Sequence, residues 1–250
     1  MASKALEILR GATSVLLFAV FGLGALAISP LMLVLRKPEL CQRIVRAVWL
    51  PLVKLFIWTG LIAVERGNLP NAQGTILVAN HPSLIDVVIV VSLVPKTLYI
   101  AKHGLRTNPV MAAIVRATSL PDDARLFDAA APYLKKGWNV LIFPEGTRSP
   151  EAGGLHPFKR GAAQLALRTG APVVCVGIRQ SRRILAKRQA IWDMGPRRVT
   201  YAFRADAPTV EIPLNARDKN VASPLDGESL HAAARRVTDE LSRRIGGLLA

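Results

Sequence analysis

Between Gly11 and Leu35 lie twenty-five consecutive residues without a charge, bracketed by Arg10 and Arg36. Wound as an α-helix at about 1.5 Å per residue, that stretch exceeds the roughly 30 Å hydrocarbon core of a bilayer. Lys4 and Arg10 ahead of it, and the triplet Ala25-Leu26-Ala27 inside it, also fit a cleaved secretory signal. Pro30 and the run LMLVL carry the apolar character past that cleavage point, so a retained anchor is the better reading. Pro30 either kinks one long span or marks the turn of a helical hairpin that dips into one leaflet and returns. More basic residues follow the stretch (Arg36, Lys37, Arg43, Arg46) than precede it (Lys4, Arg10), an asymmetry that leaves the body of the protein in the cytoplasm, on the inner face of the cell membrane.

From Ile44 to Val64 the chain is apolar again, but Arg46, Pro51 and Lys54 interrupt it and Trp49 and Trp58 sit within it. That is the profile of an interfacial or partly buried helix. Across 250 residues, 33 basic side chains stand against 17 acidic ones, a formal charge of +16, and mean hydropathy is +0.30. Such a balance suits nucleic acid, anionic lipid or an anionic substrate. With an apolar N-terminus, no zinc-finger spacing and no aromatic strand pattern of the RNA-binding kind, the membrane is the expected partner and nucleic acid is not. The densest basic run, RQSRRILAKRQ from Arg179 to Gln189, is either a solvated face or a contact for an anionic membrane surface. Cys41 and Cys175 lack ligand spacing and read as small core residues; no disulfide, metal site or bound cofactor is expected.

After the turn cluster Gly67-Asn68-Leu69-Pro70, short β-branched runs alternate with helical stretches. Strands are expected at Thr75 to Ala79, Thr97 to Ala101, Val140 to Phe143, Val173 to Ile178 and Arg198 to Phe203. Helices are expected near Ser83 to Ser92, Pro109 to Ala117, Ala124 to Lys136 and Lys159 to Thr169. Asn108-Pro109 forms a cap and first-turn pair, and Gly137 and Gly170 stand at helix ends. The fold class is α/β, a mostly parallel sheet with helices on both faces, preceded by a membrane-anchoring helical segment. Residues 1–66 form the anchor and interfacial helices, 67–215 the catalytic domain, and 216–250 an amphipathic helix that either packs on the domain or touches lipid.

Two polar strings follow apolar runs. NHPSLID, Asn80 to Asp86, comes after TILVA, and FPEGTRS, Phe143 to Ser149, after NVLI. Each sits at the end of an expected strand, so the two meet at one edge of the sheet, where α/β enzymes keep their chemistry. A helix starting right after the first strand would put His81 and Asp86 on one face, the carboxylate holding the imidazole. That pair suits removal of a proton from an alcohol as it attacks a carbonyl; Asp86 fixes the tautomer and His81 is the base. No serine or cysteine sits in a nucleophile elbow, so direct transfer is the simpler scheme. Glu145, Gly146, Thr147 and Arg148 offer a tight turn, a carboxylate and a guanidinium suited to phosphate. PFKRG, Pro157 to Gly161, adds Lys159 and Arg160 at the start of a helix.

With these strings in place, the chain resembles the lysophospholipid acyltransferases, whose best-known members are the 1-acyl-glycerol-3-phosphate acyltransferases. The resemblance runs from about Gly67 to Asp206: NHPSLID is similar to the family's first block, FPEGTRS to its third and APVVCVGI, Ala171 to Ile178, to its fourth, with Cys175 where a proline is usual. It implies the glycerolipid acyltransferase fold, His81 and Asp86 as catalytic pair, Glu145, Gly146, Thr147 and Arg148 in the acceptor site, and an acyl thioester of CoA or acyl carrier protein as co-substrate. The second block departs from the pattern: the stretch ATSLPDD, Ala117 to Asp123, puts Asp123 where an arginine is expected. An acidic group there would repel a phosphate. The expected activity is therefore transfer of a fatty acyl group to the hydroxyl of a lyso-lipid, 1-acyl-sn-glycerol-3-phosphate by default. A lyso-ornithine lipid or a specialised lipid anchor is the competing acceptor, and a non-catalytic protein that binds anionic lipid is the alternative of a different class.

Overall fold

The computed structural model describes residues 2–35, 37–108, 111–209 and 227–250. Its elements run α1 (Ala2–Val34), α2 (Pro38–Trp58), β1 (Ile62–Glu65), β2 (Ile76–Ala79), α3 (Asp86–Leu93), β3 (Thr97–Ala101), α4 (His103–Thr107), α5 (Ala112–Thr118), β4 (Ser119–Pro121), α6 (Leu126–Lys135), β5 (Asn139–Ile142), α7 (Gly161–Thr169), β6 (Val173–Gln180), β7 (Val199–Ala205) and α8 (Gly227–Leu249). The strands form one sheet in the order β1-β7-β6-β2-β5-β3-β4, parallel at every pairing except the antiparallel β6–β7 pair.

Period-two alternation divides the sheet between two cores. Leu77 and Ala79 of β2, Leu141 of β5, and Val174, Val176 and Ile178 of β6 point to the side covered by α1, α2, α3 and α5. Ile76, Val78, Val140, Ile142, Val173 and Cys175 point to the side covered by α6, α7 and α8. This is the expected mostly parallel sheet with helices on both faces. Gly170 closes α7 in the left-handed conformation at φ 64°, as its position predicted.

Three differences from the sequence reading matter. Helix α1 continues unbroken through Pro30 to Val34 and α2 begins at Pro38, and the two are an antiparallel pair with Phe18 against Phe56 and Phe21 against Trp49. The helix expected to reach Val64 ends at Trp58, and Ile62–Glu65 becomes an edge strand paired to β7, ahead of the point where the sequence places the catalytic domain. Finally, Arg10 does not flank a span in water. It is 8% exposed and donates to the carbonyls of Gly195 (2.8 Å), Gly60 (2.8 Å), Leu61 (3.1 Å) and Arg197 (2.9 Å).

Helix α1 is nonetheless long and apolar enough, over Lys4–Met32, to cross a membrane. Arg10, Ser14, Leu17, Ala25 and Met32 face the domain, whereas Leu9, Leu16, Val20, Leu23 and Leu26 are exposed. Helix α8 uses its apolar stripe, Ala234, Val237, Leu241 and Ile245, to cover the sheet, and Arg244 Nε reaches Asp206 Oδ2 at 2.6 Å. The packing alternative therefore holds for that helix. Pro109, Arg36 and residues 210–226, where the domain boundary was expected, lie outside the described residues.

Candidate active site

β2 and β5 are adjacent and parallel, so the loops after them leave the sheet side by side. The first loop does not form a helix at once. Residues 80–85 are irregular and Asp86 opens α3, so His81 and Asp86 meet because the chain turns back rather than because they share a helical face. Pro82 has no N–H, and the Ser83 amide donates to Asp86 Oδ2 at 2.7 Å, which draws the turn closed. His81 Nδ1 lies 2.8 Å from the same oxygen. The imidazole stacks on Phe143, ring centroids 4.2 Å apart, and its side chain is 20% exposed while Asp86 is fully buried.

A second tier fixes the carboxylate. Ser83 Oγ donates to Asp86 Oδ1 at 2.5 Å and accepts from the Tyr201 hydroxyl at 3.0 Å. Burial and the neighbouring Asp86 push the Tyr201 phenol far above its ordinary range, so it is a donor throughout neutral pH. Asn80 clamps the start of the loop to β6, its amide donating to Ile178 O (2.9 Å) and its Oδ1 accepting from Ile178 N (2.7 Å).

The second loop commits its polar groups inward. Glu145 is 4% exposed; Oε1 accepts from Ser149 Oγ (2.5 Å) and from the His81 amide (3.2 Å), and Oε2 from the His156 amide (2.8 Å). The Ser149 amide donates to His81 O at 2.7 Å, and its hydroxyl oxygen also lies 3.1 Å from His81 N. Arg148 Nη1 donates to the carbonyls of Leu185 (3.0 Å) and Ala186 (2.9 Å); burial lowers the guanidinium from its ordinary value and Asp86 opposes that. Gly146 has φ 62°, and a Cβ there would meet Lys159 Nζ at 2.9 Å, so the Lys159 ammonium lies over the turn. Thr147 is half-buried in the turn, and Arg160 is exposed just ahead of α7.

The structure thus brings His81, Asp86, Glu145, Gly146, Thr147, Arg148 and Lys159 to one edge of the sheet. It gives Glu145 and Arg148 protein partners where the sequence suggested a phosphate. Sequence reasoning passed over Asn80, Ser83, Ser149 and Tyr201. The first three lie inside the quoted strings, where only a polar side chain marked them; Tyr201, far along the chain, carried no signal. Beyond the edge strand β4, at the same end of the sheet, Asp123 is ion-paired with Arg125 at 2.7 Å, and that hydrogen-bonded partner holds its carboxyl down at about 2. No group of three or more His, Cys, Asp and Glu side chains suited to a metal occurs among the described residues.

Comparison with known proteins agrees with this layout. Residues 61–179 match the acyltransferase family model. Over 127 residues the chain is 33% identical to a chloroplastic 1-acyl-sn-glycerol-3-phosphate acyltransferase of Brassica napus, covering 47% of this chain and 37% of that one. A protein of the same description from Borreliella burgdorferi is 26% identical over 54% of this chain and 58% of its own length. The matched stretch therefore spans about two fifths to three fifths of these relatives. The crystal structure of a 1-acyl-sn-glycerophosphate acyltransferase from Thermotoga maritima superposes with a TM-score of 0.65 at 26% identity, covering 99% of this chain and 98% of the other.

Proposed function

We propose that this chain, whose residues 61–179 match the acyltransferase family model, is a membrane-associated O-acyltransferase that moves a fatty acyl group from a thioester of CoA or acyl carrier protein to the hydroxyl of a lyso-lipid. One observation carries the reading: His81 Nδ1 is held by a buried carboxylate at 2.8 Å, while Nε2 has no hydrogen-bond partner among the described residues. Asp86 accepts from Nδ1–H, which leaves Nε2 as the basic nitrogen. Nε2 takes the proton of the acceptor hydroxyl as the oxygen attacks the thioester carbonyl. The tetrahedral intermediate then expels the thiolate, which receives that proton from the imidazolium. Arg148 Nη1 is occupied by carbonyls and the Gly146 amide by Phe143 O, so stabilisation of the oxyanion falls to the backbone amides of Thr147 and Arg148 in the same turn.

We take 1-acyl-sn-glycerol-3-phosphate as the acceptor. The objection to it was the charge of Asp123, and Arg125 neutralises that charge at contact distance. Lys159 over Gly146 and Arg160 beside it supply positive charge on the other side of the loop. The exposed apolar face of α1 supports membrane association, and the excess of basic residues after it over those before it supports a catalytic domain in the cytoplasm, at the inner membrane. The test is purified protein in vesicles, offered labelled acyl-CoA or acyl carrier protein and a panel of lyso-acceptors that includes lysophosphatidate and a lyso-ornithine lipid. Phosphatidate formed by the wild type and not by His81→Ala is the expected result; transfer to no acceptor removes the enzyme reading, and transfer only to the amino-lipid moves the acceptor.

A further inference from the structure

A cavity of about 1090 Å³ lies between the first half of α1 and the connection from β6 to β7, away from His81. Its helical wall is apolar, with Ile8, Val15 and Leu16 all exposed. The opposite wall carries Arg182, Arg188 and Trp192, the indole 64% exposed. The Arg182 guanidinium packs against the backbone of Gly195, where a Cβ would overlap it. The carbonyl of that same Gly195 accepts from Arg10 Nε. Two guanidinium groups therefore converge on one turn, and all four hydrogen bonds of Arg10 go to neutral carbonyls.

Neither Arg182 nor Arg188 forms an ion pair among the described residues. Two carboxylates also line the cavity, Glu7 and Asp193, and Asp193 accepts from Gln189 Nε2 at 3.1 Å instead of pairing with either arginine. The wall is prefixed: Arg148 holds the carbonyls of Leu185 and Ala186, Ser14 that of Ile191, and Arg10 those of Gly195 and Arg197. Little ordering remains to be done on binding.

We propose that this cleft binds one anionic phospholipid of the surrounding membrane, its phosphate between Arg182 and Arg188 and its acyl chains along α1, with Trp192 at the level of the glycerol. An apolar wall facing unpaired arginines fits an amphiphilic anion, and the guanidinium matches phosphate geometry. This lipid is neither donor nor acceptor, and its binding does not depend on acyl transfer.

The full-length protein is reconstituted in phosphatidylcholine vesicles containing a fixed fraction of phosphatidylglycerol, with bromine on the chains of one lipid or the other. The Trp192 signal is taken as the difference between wild type and Trp192→Phe. Brominated phosphatidylglycerol is expected to quench it several-fold more than brominated phosphatidylcholine at equal mole fraction. In an R182Q/R188Q double variant that preference disappears. In R235Q/R236Q, which removes the same charge from exposed positions of α8 across the sheet, it stays. Equal quenching by the two lipids in the wild type overturns the proposal. So does a preference that survives R182Q/R188Q, or one that R235Q/R236Q abolishes equally, since the latter reports net charge alone.

Discussion

β2 and β5 are parallel neighbours, and the loops at residues 80–85 and 144–149 emerge from them within hydrogen-bonding reach of each other. In the first, the polar groups converge on Asp86, and one imidazole nitrogen is left open toward solvent. In the second, the carboxylate and guanidinium are closed off by His81, Ser149, His156, Leu185 and Ala186. One loop presents a reactive atom and the other fixes where that atom stands. A string can be just as informative about a family and still act only through its neighbour.

The largest expected effect lies in the first loop. His81→Ala should lower kcat about 10²–10⁴-fold, the usual contribution of a positioned base, with a smaller fall in melting temperature than the second loop's variants, because Asp86 keeps both bonds from Ser83. Asp86→Asn should lose a similar factor in kcat, since an amide no longer selects the Nδ1–H tautomer. A His81→Ala protein with wild-type turnover would end the comparison at once.

Changes in the second loop should show first as instability. Glu145→Ala strands the Ser149 hydroxyl and the His156 amide, each at a cost of roughly 1–3 kcal/mol when left buried and unpaired, while the His81 amide keeps only Ser149 Oγ. Arg148→Ala frees two carbonyls and loosens residues 185–186, so the melting temperature and kcat should fall together while KM for the acceptor holds. If Arg148→Ala instead raises that KM with an unchanged melting curve, the guanidinium meets substrate and the two loops share one role.

A smaller effect separates positioning from packing. Tyr201→Phe keeps the buried ring and removes only the hydroxyl that donates to Ser83. One neutral hydrogen bond at about 0.5–1.5 kcal/mol corresponds to roughly a 2- to 10-fold fall in kcat. The shape of the pH profile for kcat should shift while KM stays constant. An unaltered kcat and pH profile would reduce Tyr201 to a core side chain.

The two strings and the alternation of strands were readable because each is local: a β-branched run, a glycine at a helix end, a cluster of polar residues in a few positions. The edge strand Ile62–Glu65 was not, because its apolar residues continue the helical run before them and only pairing with β7, far along the chain, makes them a strand. Arg10 misled for a similar reason. A lone arginine at the head of an apolar stretch reads as a membrane flank, and nothing nearby announces four carbonyls contributed by residues 60–61 and 195–197. Tyr201 is the same case within the site.

Whether damage to the second loop stays in that loop can be read at Cys175, which pairs with Val78 in β2, the strand that leads into the His81 loop. Burial pushes the Cys175 thiol up to about 12, so it stays protonated, and poorly nucleophilic, through pH 9 and beyond. Unfolded, the thiol returns to its ordinary value near 9; the folded state thus keeps this contribution in full below pH 9 and loses it as pH rises toward 12. Native protein at pH 9 should therefore react with maleimide at Cys175 only as fast as it unfolds. Glu145→Ala should leave that rate within a small factor of wild type if the loop gives way alone. Labelling as fast as in denaturant would mean that the carboxylate secures the sheet as well, and the boundary drawn between the two loops would have to move inward to β2 itself.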